Sequence, residues 1–317
     1  MTQGARKRSL SGVQGTVAPA RLRSLLVPVD LTPGSDRVLG RLSLLPLADD
    51  ARVTLLHVVS RGLPPGQRRR AEWDAGRTLS EEARHLRKSV PRHARIETLV
   101  KPGAPAKEIG ASAARVKAEL IVMGRGGRRT LREEFLGSTA ERVIRQSRLP
   151  VLVVRLTPRA AYRRPALALD TDRAAHEVVR LMLLVLPSPR PRVAVIHAFG
   201  VPYRSLISSS LSDDEVSEME ISYQREATQD LTKLLHASIA KANLRPEDVP
   251  SWDTRVRYGS PRVVVEKFTR KAETDLLMLG TRGYSGVAQA FLGTVAGDLL
   301  RKAKCDVLVV PPRSSRR

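Results

Sequence analysis

The chain has a single cysteine, Cys305, in 317 residues. No disulfide can close within one chain, which fits a reduced, cytoplasmic setting. Aromatic residues make up only 3% of the sequence, so the stacking platforms that grip single-stranded nucleic acid are scarce. No apolar run approaches the roughly 20 residues that cross a bilayer. Arg6-Lys7-Arg8 is followed by no apolar stretch, so neither a membrane partner nor a secretory leader is expected. There is no Gly-x4-Gly-Lys-[Ser/Thr] phosphate loop, no Gly-x-Gly-x2-Gly dinucleotide fingerprint and no Gly-x-Ser-x-Gly nucleophile elbow. The six histidines show no metal-ligand spacing, and no metal-binding residues are expected.

Acidic residues are outnumbered, 32 Asp and Glu against 55 Lys and Arg, for a net charge of +23. The excess is uneven. Residues 1–160 carry 31 basic and 14 acidic side chains, and residues 161–317 carry 24 and 18. A basic half of this kind attracts nucleic acid or polyphosphate. With so few aromatics, no zinc-finger spacing and no basic zipper, the preferred reading is a solvated, arginine-rich surface. A basic scaffold binding nucleic acid or polyphosphate stays as an alternative.

What the sequence does have is one glycine pattern, twice: Gly-x2-Gly-x9-Gly-[Ser/Thr]. The copies are Gly124, Gly127, Gly137, Ser138 and Gly280, Gly283, Gly293, Thr294. Each follows a short apolar run ending at Met123 or Leu279. Glycines between a strand and a helix start let the backbone approach a phosphate closely. Four further landmarks recur in the same order: a strand ending in Asp30 or Asp170, a strand ending in His57 or His197, Gly-x-Pro at Gly103 or Gly259, and a final strand 151–154 or 307–310. Asp30 to Asp170 and His57 to His197 are both 140 residues, whereas Gly103 to Gly259 and Gly124 to Gly280 are both 156. The chain is therefore an internal duplication whose second half holds 16 extra residues, expected in the polar stretch Ser205–Glu220.

Helical spacing recurs between the strands, at Val38, Leu39, Leu42 and Leu45, and at Val178, Val179, Met182 and Val185. Alternating strands and helices predict an α/β fold of two tandem, doubly wound domains. Their expected limits are 21–157 and 163–312, after a disordered extension 1–20 and before a tail 313–317.

These residues, above all Met123–Arg155 with Phe135-Leu136-Gly137-Ser138 and Leu149-Pro150-Val151-Leu152, resemble the universal stress protein family in its tandem form. The resemblance implies a five-stranded parallel sheet per domain, in the order 3-2-1-4-5, flanked by helices. It implies ATP binding, because members with this glycine pattern commonly bind ATP, and pairing of the two domains through their final strands, with room for a homo-oligomer. Mg²⁺ is expected to accompany the phosphates. The function expected is that of a cytoplasmic stress or signalling regulator that is not an enzyme, with a slow ATPase or autokinase as the alternative.

In an open parallel sheet the ligand sits beyond the strand ends where the order reverses, here between strands 1 and 4. That places Pro28, Val29 and Asp30 beside Met123, Gly124, Gly127 and Arg128. Gly137, Ser138 and Thr139 open the following helix. By analogy with the family, Asp30 is expected near the adenine and ribose, and Val58 along the base pocket. The second-half counterparts are Asp170, Ala198, Leu279, Gly280, Gly283, Gly293, Thr294 and Val295. Ser138 with Glu141 also reads as a capping box, Asp30 and Asp170 as turn caps, and His57 and His197 as structural residues. Arg125, Arg128, Arg129 and Arg132 are candidate phosphate clamps. The first half is expected to be the firmer site.

Overall fold

The structure, a computed structural model, describes residues 21–126, 136–172, 174–200, 212–281 and 292–312. Gly127, Arg128, Arg129, Arg132 and Gly283 lie outside the described residues, as do the extension 1–20 and the tail 313–317. The first domain runs β1 (Leu22–Pro28), α1 (Ser35–Leu42), β2 (Leu47–Val59), α2 (Pro65–Arg87), β3 (Arg95–Pro102), α3 (Pro105–Arg115), β4 (Leu120–Gly124), α4 (Ser138–Gln146) and β5 (Val151–Val154). The second runs β6 (Pro165–Ala168), α5 (Ala174–Val185), β7 (Val193–Phe199), α6 (Asp213–Ala240), β8 (Trp252–Tyr258), α7 (Pro261–Lys271), β9 (Leu276–Gly280), α8 (Thr294–Lys302) and β10 (Asp306–Val310).

All ten strands form one sheet in the order β3-β2-β1-β4-β5-β10-β9-β6-β7-β8. Within each half the order is 3-2-1-4-5 and the neighbours are parallel. Among the described residues only β5 and β10 meet antiparallel, with Leu152 opposite Leu308. The strand residues alternate between two cores. Leu25, Val27, Leu55 and Val122 pack under α1, α2, α5 and α6; Leu26, Leu56, Ile121 and Met123 pack under α3, α4, α7 and α8. Burial on both faces is why the strands read as continuous apolar runs rather than as alternating patterns.

The duplication holds in hydrogen bonds. Gly103 N–H donates to the Val59 carbonyl and Gly259 N–H to that of Phe199, at 2.9 and 3.0 Å. Pro105 and Pro261 then open α3 and α7 at the one turn where a missing N–H costs nothing. The 16 extra residues are not confined to Ser205–Glu220. α6 has 28 residues against 23 in α2, and its exit includes a 3-10 turn, Pro246–Asp248, with no first-half counterpart. That exit is pinned by a buried acid. Asp248 accepts from the Ser188 hydroxyl and, at Oδ2, from Arg245 at 2.9 Å.

The expected boundary, Thr157–Pro165, is a packed connection. Tyr162 is buried within it. At its centre lies Asp306, the first residue of β10, with 0% exposure. Its Oδ1 accepts from the N–H groups of Arg155 (2.7 Å) and Leu156 (2.9 Å). Its Oδ2 accepts from Arg41 Nε (3.1 Å) and the Tyr162 hydroxyl (2.7 Å). Arg41, on α1, is itself buried, donates to the Ala160 carbonyl at 2.9 Å and stacks 4.0 Å from the Tyr162 ring centroid. Burial, and then Asp306, push the Tyr162 hydroxyl well above its ordinary value, so it stays a donor.

Removing one partner of such a buried pair strands the other charge. Asp306→Ala is expected to cost about 3–5 kcal/mol, and Tyr162→Phe about 1 kcal/mol. Urea unfolding of the two variants measures both, and equal midpoints would contradict this account.

Candidate nucleotide site at the strand-order reversal

β1 and β4 are neighbours, with Leu25 opposite Leu120 and Leu26 opposite Ile121. Continuing that register brings Val29 level with Gly124. The topology thus joins residues more than ninety positions apart. Pro28 and Val58 are half-buried there, Val29 and Met123 are buried, and Asp30 is exposed. In the second half Leu279 is buried, Asp170 and Ala198 are half-buried, and Thr294 and Val295 are exposed.

The base of each glycine loop is closed by main chain. Gly137 N–H donates to the Arg125 carbonyl at 2.8 Å, and Gly293 N–H donates to that of Thr281 at 2.9 Å. A Cβ at Gly137 would lie 2.8 Å from the Gly126 carbonyl carbon and 2.9 Å from the Arg125 oxygen. Backbone cannot swing aside as a side chain can, so Gly137 is required by the loop itself. At Gly293 the nearest atom, the Thr281 oxygen, is 3.2 Å away. Gly126, which the repeat pattern skips, adopts φ +65°, a conformation that favours glycine. Its signal in the sequence was the Gly126-Gly127 pair, hidden because position 282 in the other copy is arginine.

The capping box expected at Ser138 does not form. Gly137 is the N-cap of α4 and Ser138 its first helical residue, one position too late to cap. Glu141 instead accepts from Arg145 at 2.8 Å and faces Arg301 at 3.6 Å. α8 is also capped by glycine, Gly293. A helix start has N–H groups with no internal acceptor, and a glycine cap supplies no side-chain oxygen. The box that does form is at Ser212 and Glu215, ahead of α6.

Asp30 acts as a cap. Its Oδ1 accepts from Thr32 N–H (3.2 Å), the Thr32 hydroxyl (2.7 Å) and the Ser35 hydroxyl (3.0 Å). This ties the left-handed turn at Leu31, φ 56°, to the start of α1. His57 and His197 make one and the same bond: each Nδ1–H donates at 2.9 Å to the carbonyl of Val29 or Leu169. They brace the loop behind the crevice.

The two halves differ in charge. At the position of Thr32 the second half has Asp172, which accepts from Ala174 and Ala175 N–H at 3.0 and 3.2 Å. Burial, and also the neighbouring Asp170, push its carboxyl above the ordinary value. Two acids there oppose an anionic ligand. In the first half, Arg155 is held below its ordinary value by burial and also by the positive charge of Arg125. A separate cavity of about 450 Å³ lies between α3 and α4, lined by Ala106, Lys107, Gly110, Val143, Gln146 and Ser147. It sits at the far end of α4 from the glycine base. Among the described residues, no three His, Cys, Asp or Glu side chains group to hold a metal, and no helix is long and apolar enough to cross a membrane.

Two outcomes follow from this geometry. Gly137→Ala, which collides with backbone, should destabilise the fold by about 1–3 kcal/mol. Gly124→Ala, whose Cβ would make ordinary contacts with Val38 Cγ2 at 3.4 Å and Gly126 N at 3.9 Å, should be tolerated; thermal unfolding ranks the pair. Burial pushes the Cys305 thiol up to about 12, so iodoacetamide should label it only after denaturation, as read by intact mass.

The chain matches the Universal stress protein family over residues 21–155 and again over 162–311. A universal stress protein of Methanocaldococcus jannaschii is 38% identical over 112 residues, 33% of this chain and 66% of that protein. The match therefore spans just under two thirds of that relative's length. A crystal structure of a universal stress protein from Archaeoglobus fulgidus covers 93% of this chain and 98% of its own, at 17% identity and a TM-score of 0.63. A functionally unknown protein from Pseudomonas aeruginosa covers 92% and 93%, at 17% identity and a TM-score of 0.64. At that identity the likeness speaks for the fold. Two matched domains, carrying the same strand order and the same glycine-closed crevice, make this chain a tandem member of the universal stress protein family.

Proposed function

We propose that this protein is a cytoplasmic regulator that binds ATP, with Mg²⁺ carried on the phosphates, and that its firmer site is in the first half. The observation that supports this most is the glycine-capped start of α4, set beside the end of β4 where the strand order reverses. Main-chain amides with no side-chain cap are suited to phosphate oxygens, and each favourable charge placed at a helix start contributes about 0.3–1 kcal/mol. Ser138 and Thr139 would add hydroxyl donors, and Val29 and Val58 an apolar wall for the base. The magnesium would sit on phosphate oxygens and water, needing few protein ligands.

Binding without rapid turnover is the reading best supported by the titratable groups. Asp30 is committed to three hydrogen bonds that build the α1 turn, and His57 to the Val29 carbonyl. Both side chains are thereby tied to holding the loops at the strand ends. The two domains, joined through β5 and β10, would present two unequal sites on one body.

Calorimetry with ATP and Mg²⁺ tests this. The native chain should take up one nucleotide tightly and a second weakly or not at all. Gly124→Val should lose the tight site, whereas Gly280→Val should keep it, and circular dichroism melts of each variant separate lost binding from lost fold. Absence of uptake by the native chain would end the proposal. ADP should accumulate over hours rather than minutes at saturating ATP.

A further inference from the structure

We propose that the outer face of α2 is a binding site for single-stranded nucleic acid, separate from the nucleotide crevice. Trp73 lies on this helix with 67% of its surface exposed, in a chain with two tryptophans. At about 100° per residue, Arg69, Arg70, Arg77, Arg84 and the C-cap residue Lys88 all fall within about 60° of it. Each is exposed. The buried residues Ala75, Leu79 and Leu86 occupy the opposite side, so the stripe points straight away from the sheet. Arg87 shares the stripe but is held by the Ala94 carbonyl. The acids of the helix, Glu72, Asp74, Glu81 and Glu82, lie at least about 80° away from Trp73.

The cations are unneutralised. No ion pair engages Arg69, Arg70, Arg77 or Arg84 among the described residues; the pair on this helix is Arg68 with Glu72, at 3.9 Å. Arg77 lies over the Trp73 ring at 5.5 Å. Guanidinium and indole form a cationic, aromatic platform in a row of positive charges about 28 Å long. A stacking surface within a cationic track is what an unpaired strand requires: bases stack on the ring while phosphates follow the charges. A lipid surface fits less well, because an interfacial helix inserts its apolar face and that of α2 is packed on β2 and β3. The duplicated helix, α6, has no such stripe; its start carries Asp214, Glu215, Glu218 and Glu220. The low aromatic content that argued against nucleic acid is thus offset by the placement of one tryptophan.

The test is titration of the full chain with a 12-nucleotide oligouridine, followed by tryptophan fluorescence. Trp73 emission should be quenched, and log K should fall against log salt with a slope of about −3.5 for five phosphate contacts. Trp73→Ala should abolish the quench and weaken binding about tenfold or more, in keeping with about 1–3 kcal/mol per stacked base. The triple variant Arg69→Glu, Arg77→Glu, Arg84→Glu should lose binding, whereas Arg225→Glu, Lys267→Glu, Arg270→Glu, with the same change of net charge, should keep it. Circular dichroism melts confirm folding of all variants. Equal loss in the two triple variants would overturn the proposal, since diffuse charge then suffices. So would binding of a duplex of equal length as tightly as the single strand, or a Trp73 response to anionic vesicles and none to the oligonucleotide.

Discussion

Asp306 is a carboxylate with no exposed surface, so the protein alone must answer its charge. It does so from four directions: two amides past the end of β5, a guanidinium on α1 and a phenol in the connection between domains. Every donor comes from outside the second domain's own sheet, so the carboxylate holds the two halves in one relative placement. Buried ion pairs are weak contributors to net stability but severe when broken. Their effect here is to fix the β5–β10 seam. α1 links this seam to the glycine-loop crevice, because the helix that carries Arg41 begins at Ser35, bonded to Asp30, and places Val38 3.4 Å from where a Gly124 Cβ would be.

At the crevice the governing constraint is the room left by main chain. Gly137 is folded onto Arg125 and Gly126 so closely that a methyl group does not fit. This explains why a glycine ends the nine-residue spacer: it lets the loop close on its own main chain. It also explains why α4 starts without a side-chain cap, since the residue in the capping position has no side chain.

The fold was legible because its signals are periodic and occur twice. Leu25 to Val29 and Val151 to Val154 read as buried strands from apolarity alone, and the paired offsets at Asp30, His57, Gly103 and Gly124 exposed the duplication. What escaped sequence reading were contacts between residues far apart. Nothing at Asp306 distinguishes it from a strand-end turn until Arg41, 265 positions away, is brought against it. Ser138 and Glu141 have the spacing of a capping box, yet the helix starts one residue earlier, at Ser138 itself, and Glu141 turns to Arg145 and Arg301. The extra residues of the second half were located by subtraction, which cannot reveal that a longer helix and a new 3-10 turn share them. Gly126 was missed because the repeat comparison discards what only one copy has.

The asymmetry of the seam has an evolutionary side. In a homodimer, each residue and its symmetry mate change together, so an acid introduced at one strand start appears at both. Covalent fusion of the two halves lifts that restriction. At the positions equivalent to Arg41 and Asp306 this chain has Leu181 and Pro150, an apolar pair where the other side of the pseudo-dyad carries a salt bridge. The two copies also differ at the crevice, with a neutral Thr32 in one half and Asp172 in the other, so the products of one duplication present unlike charge within one polypeptide.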